Sequence, residues 1–99
     1  MQVRWAPRAQ TDLNDQIDYI AQDNLQAANR MRKIVYEHTK LLEKTPEIGR
    51  TGVVADTREL ILSGTPYVAV YRVKEEFVEI LRVLHGAQQY PPAGTQRQG

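Results

Sequence analysis

TRELIL (57–62), YVAVYRV (67–73) and FVEILRV (77–83), running into LHGAQQYP (84–91), form the stretch that decides the fold. Val, Ile, Tyr and Phe at this density favour strands, and SGTP (63–66) and KEE (74–76) are turn-sized polar breaks between them. The segments therefore predict an antiparallel meander. Each carries an arginine, Arg58, Arg72 and Arg82, where a purely structural sheet more readily holds apolar or small polar residues. His85 and Tyr90 follow on the exit segment.

If the second turn holds three residues, 74–76, Val73 faces Phe77. Arg72 and Arg82 then share one face with Val68, Val70, Val78 and Ile80, and this is the register expected. A two-residue turn shifts every pair and undoes it. On the expected outward face, removing Arg82 costs little stability, within about 0.5 kcal/mol.

Upstream, Val3 and Trp5 alternate with Gln2 and Arg4, which reads as a short strand. Pro7 suits the first turn of a helix, where its missing N–H is an unpaired donor in any case. Ala9, Leu13, Ile17 and Ile20 build an apolar stripe, with Asp12, Asp15, Asp18 and Gln22 on the polar side, so a helix is expected from about Pro7 to Gln22. Asp23 or Asn24 ends it or caps the next. In the second helix, Ala27, Met31, Ile34, His38 and Leu41 fall on one line with Ala28, Val35 and Leu42 beside it, and Pro46 sets its limit near Lys44. His38 reads as a satisfied histidine at the helix–sheet interface. TPEIGRTG (45–52) is a loop. The fold class expected is α+β, an antiparallel helical hairpin on a small, mainly antiparallel sheet in the order β-α-α-β-β-β. One domain is expected over 1–91, with a disordered tail over 92–99.

Composition narrows the chemistry. Ninety-nine residues, 41% of them hydrophobic, make one modest core without space for a large cofactor as well. There is no cysteine, and the two histidines, His38 and His85, are far apart in sequence, so neither thiolate chemistry nor a zinc site is expected. No cofactor and no metal are anticipated. No apolar run approaches the roughly 18 residues of a membrane span. A reducing, cytoplasmic setting follows. The net charge of +1 gives no argument for nucleic acid. Its distribution, acidic in the first helix and basic in the second, suggests charge pairing between the helices.

The element order resembles the RelE/ParE family of toxins from type II toxin–antitoxin systems. The resemblance rests on REL (58–60), YVAVYRV (67–73), ILRVLHGAQQYP (80–91) and the opening WAPRAQTDL (5–13). It implies a cognate antitoxin as partner and one of two targets. RelE-like toxins cleave messenger RNA in the ribosome, whereas ParE-like toxins poison DNA gyrase by trapping cleaved DNA. RelE-like nucleases hold an arginine where this chain has Val68, and losing one preorganised donor costs on the order of a hundredfold. The wording RVLHGAQQYP (82–91) is closer to the ParE-like branch. The lead expectation is therefore a gyrase toxin with no catalytic residues and a target-binding set of Arg58, Arg72, Arg82, His85, Gln88 and Tyr90. The alternative is a metal-independent nuclease using Arg58, Arg82, His85 and Tyr90.

Overall fold

The computed structural model describes residues 1–86. The expected tail over 92–99, and with it Gln88 and Tyr90, lies outside them. The elements are β1 (Gln2–Trp5), α1 (Pro7–Ala21), α2 (Leu25–Lys40) continued by a 3-10 turn at Leu41–Glu43, β2 (Arg50–Thr51), β3 (Arg58–Ile61), β4 (Tyr67–Val73) and β5 (Phe77–His85). They make one mixed sheet in the order β1-β5-β4-β3-β2, and the helical hairpin packs on one face. The expected α+β class and element order hold, with the two-residue β2 added inside the expected loop.

Local chemistry accounts for the helix boundaries. Pro7 occupies the first turn of α1, and the Asn24 side chain caps α2 by accepting from the Ala27 N–H at 3.0 Å. Ala9, Leu13 and Ile17 are buried as their spacing predicts. In α2 the core line is Ala28, Val35 and Leu42, joined by Thr39, whereas Leu41 is 53% exposed. The stripe is therefore centred one residue later than expected. Thr39 tolerates burial because its hydroxyl donates back to the Val35 carbonyl at 3.0 Å. His38 is half-buried, with Nδ1 2.9 Å from the Ile34 carbonyl, as expected of a satisfied interfacial histidine.

Leu13, Leu42, Tyr71 and Ile80 are fully buried in the cluster between helices and sheet. Full burial of an aliphatic side chain of this size contributes about 1.5–3 kcal/mol. The expected charge pairing between helices is not what joins them among the described residues. Their polar contact is a hydrogen bond from Gln10 to the Tyr36 hydroxyl, 3.1 Å, and Asp12 turns to the sheet instead.

The meander forms, but in a different register. Lys74 N–H donates to the Phe77 carbonyl at 2.8 Å, so Glu75 and Glu76 alone make the turn. Val73 pairs with Val78 and Arg72 with Glu79. Between Val70 and Tyr71 the ladder slips, so that Val70 opposes Arg82 while Tyr71 opposes Ile80, which leaves Leu81 as the extra residue of a bulge. Val78 and Ile80 thus face the helices with Tyr71, and the expected face uniting Arg72 and Arg82 with them does not exist. The competing two-residue turn forms, and because side chains alternate with period two, that one-residue change of turn length is a change of face.

Candidate functional site

The structure sends the three arginines to three places. Arg58 lies opposite Tyr71 on β4, and its Nη1 donates to the carbonyls of Gly49 at 2.8 Å and Glu47 at 3.2 Å. The Tyr71 hydroxyl joins them by donating to the Pro46 carbonyl at 2.7 Å and accepting from Gly49 N–H at 2.9 Å. A side chain at Gly49 would place Cβ 2.7 Å from the Tyr71 hydroxyl, so only glycine permits this closeness. Together these bonds fasten loop 46–49 to the sheet.

Arg82 does not stand outward beside Arg72. Its Nε donates to Asp12 Oδ2 at 2.7 Å and its Nη2 to Oδ1 at 3.2 Å, and Oδ2 also accepts the Val83 N–H at 3.0 Å. The cause is topological. β1 ends where Trp5 pairs with Ile80, and beyond that point β5 has a bare edge along which α1 runs. Asp12 closes this edge by accepting the backbone donor a neighbouring strand would have taken. The two side chains are only 15% and 11% exposed, so this is a partly buried ion pair rather than a solvated one. Asp12 is the residue that sequence reasoning missed. Its position on the polar side of α1 was legible, but the edge it covers was not.

Arg72 projects from β4 opposite Glu79, with Nε 3.8 Å from the Glu79 carboxylate. That distance exceeds a hydrogen bond, and Nε is buried with no hydrogen-bond partner. Arg58 and Arg72 do meet in one cleft of about 500 Å³, which Lys74, Val73, Thr51, Asp56 and Thr57 complete. Gly52 and Asp56 shape its wall. Gly52 N–H donates to the Thr57 carbonyl at 2.8 Å, a Cβ on Gly52 would clash with Thr57 Oγ1, and Asp56 takes a left-handed φ of 64°.

His85 lies at the other end of β4, opposite Tyr67, whose ring meets the imidazole edge-on at 6.2 Å between centroids. The Tyr67 hydroxyl donates to Gln16 at 3.3 Å. Val68 pairs with Leu84 and Ile61. Among the described residues no group of His, Asp or Glu is arranged to hold a metal ion.

Burial pushes the Tyr67 and Tyr71 hydroxyls above the ordinary tyrosine value of 10.0; for Tyr71 the Gly49 N–H and the Arg58 charge work in the opposite direction. A raised folded-state value means that the stabilisation is complete below the unfolded value and is lost as pH rises through the folded one. The melting temperature should therefore fall once pH climbs past about 10. Replacing both tyrosines with Phe should flatten that alkaline decline, and an unchanged slope would show that other groups cause it.

A five-stranded mixed sheet under a helical hairpin is the framework that holds these residues. The chain belongs to the ParE toxin family of type II toxin–antitoxin systems, whose family model, described as ParE toxin of type II toxin-antitoxin system, parDE, matches residues 3–90. It is 38% identical over 89 residues to Y4kP of Sinorhizobium fredii (strain NBRC 101917 / NGR234), covering 90% of this chain and 92% of the relative. It is 39% identical over 87 residues to Toxin RelE2 of Caulobacter vibrioides (strain ATCC 19089 / CIP 103742 / CB 15), covering 88% and 97%. A solved structure of the chromosomal ParDE TA system from P. aeruginosa superposes with a TM-score of 0.79 at 27% identity, covering 86% of this chain and 95% of that one. The protein is thus a toxin of a type II system, and membership implies an antitoxin partner. No helix among the described residues is long and apolar enough to cross a membrane.

Proposed function

We propose that this toxin acts in the cytoplasm by binding DNA gyrase and trapping its cleaved DNA intermediate, and that a cognate antitoxin neutralises it. The observation that supports this reading above others is the commitment of Arg82 to Asp12, at 2.7 Å, in a chain that already has Val68 in place of an arginine. Ribonuclease chemistry requires a 2′-hydroxyl to be deprotonated, a phosphorane to be neutralised and a leaving oxygen to be protonated, all within one site. Arg58 sits beside Tyr71 and His85 beside Tyr67, four positions apart on β4. At strand rise that separation is about 13 Å before the intervening strands are added, too far for both to attend one phosphate. A toxin that works by binding has no such requirement. The target surface proposed is Arg58 and Arg72 with the exit segment from His85 through Gln88 and Tyr90. Arg82 acts from behind this surface by holding β5 against α1.

The likeness to a relative named Toxin RelE2 favours a second reading, ribosome-dependent messenger RNA cleavage. Induction separates the two. Gyrase poisoning predicts DNA-damage signalling and filamentation with intact bulk messenger RNA, and co-expression of the neighbouring antitoxin gene should restore growth. Codon-dependent cuts mapped by primer extension in ribosome-bound RNA would replace gyrase with the ribosome as target.

A further inference from the structure

We propose that the cleft between the start of β3 and the end of β4 is a subsite for one phosphodiester of a nucleic-acid strand, held by Arg72 and Lys74 with Arg58 at its inner wall. This rests on the gyrase reading, in which the strand is DNA within the enzyme complex. The cleft presents three cations, Arg58, Arg72 and Lys74, against Asp56 on its wall and Glu79 beside Arg72, an excess of positive charge that suits a singly charged phosphodiester better than a polyphosphate.

Arg72 holds the donor with the least satisfied geometry. Arg72 Nε is buried without a hydrogen-bond partner, and its nearest acid, Glu79, stands off at 3.8 Å. The Arg72 side chain is 38% exposed, so its guanidinium can turn to an acceptor-only ligand in the cleft, and the two free oxygens of a phosphodiester match its fork. Lys74, on the same rim, forms no ion pair among the described residues. Arg58, anchored by the Glu47 and Gly49 carbonyls, adds positive charge that needs no reordering when a ligand arrives. A volume of about 500 Å³ leaves room for the sugar flanking the phosphate, more than a single carboxylate of an acidic peptide would fill.

The test is fluorescence anisotropy of the full-length chain with a short labelled oligothymidylate across a salt series. Arg72→Gln should weaken binding about tenfold or more. The slope of log K against log salt should also fall by about 0.7 for the contact removed. Lys74→Gln should act in the same direction, and it provides the reading if Arg72→Gln proves unstable in a melting curve. Lys33→Gln, on the exposed part of α2, should change neither quantity by as much. Equal binding by wild type and both cleft variants would overturn the proposal, as would an acidic polyglutamate peptide that competes as well as the oligonucleotide. Gyrase trapping is scored separately on the same preparations. Cleft-dependent DNA binding without trapped gyrase would uphold the subsite and remove the gyrase reading. Trapping that persists in variants with unchanged DNA binding would do the reverse.

Discussion

Asp12→Ala should destabilise the fold by about 3–5 kcal/mol, the range for removing one partner of a buried pair and leaving the other uncompensated. The substitution deletes both hydrogen bonds to Arg82 and the acceptor of the Val83 N–H. It also uncovers the β5 edge beside α1. Arg82→Ala should cost somewhat less, because Asp12 keeps the Val83 N–H and lies 3.5 Å from Arg8. This reverses the sequence expectation of a nearly neutral Arg82, so loss of toxicity in that variant is interpretable only beside a melting curve. Urea unfolding of both single variants and the double variant measures the coupling. If the double variant is no better than the sum of the singles, the pair is not the clasp described, and an Arg82→Ala chain as stable as wild type would exclude the pair as a source of stability.

Tyr71 carries the second large effect. Tyr71→Phe keeps the buried ring but strands the Gly49 N–H and the Pro46 carbonyl, each of which now bonds to the hydroxyl. Leaving a buried backbone group unsatisfied costs about 1–3 kcal/mol. Tyr71→Ala removes the ring as well, and truncating a buried aromatic costs about 3–5 kcal/mol. Because Arg58 is anchored on the same loop, Tyr71→Phe should also speed amide exchange at Gly49 and its neighbours while α1 remains protected. Uniform acceleration across the chain would mean that the hydroxyl supports the whole core rather than the loop.

The elements were legible because each depends on local chemistry. Pro7 starts α1, Asn24 caps α2, the spacing of Ala9, Leu13 and Ile17 faces α1 inward, and the apolar density of 57–83 marks the strands. What sequence could not supply was relative position. The tight Glu75–Glu76 turn and the bulge after Val70 decide which arginine faces where, and both depend on a difference of a single residue. The same limit hid Asp12. Its partner is 70 positions away and becomes a neighbour only because β1 stops short along β5. The arginines could be identified as unusual, but a shared location could not be read from their spacing.

The proposed gyrase target is tested by incubating the purified toxin with gyrase, ATP and supercoiled plasmid, then adding detergent and protease. Toxin-dependent linear DNA with gyrase covalently attached before proteolysis is expected, and the antitoxin should suppress it. Plasmid that stays uncut at toxin concentrations that arrest translation in a ribosome extract would contradict it.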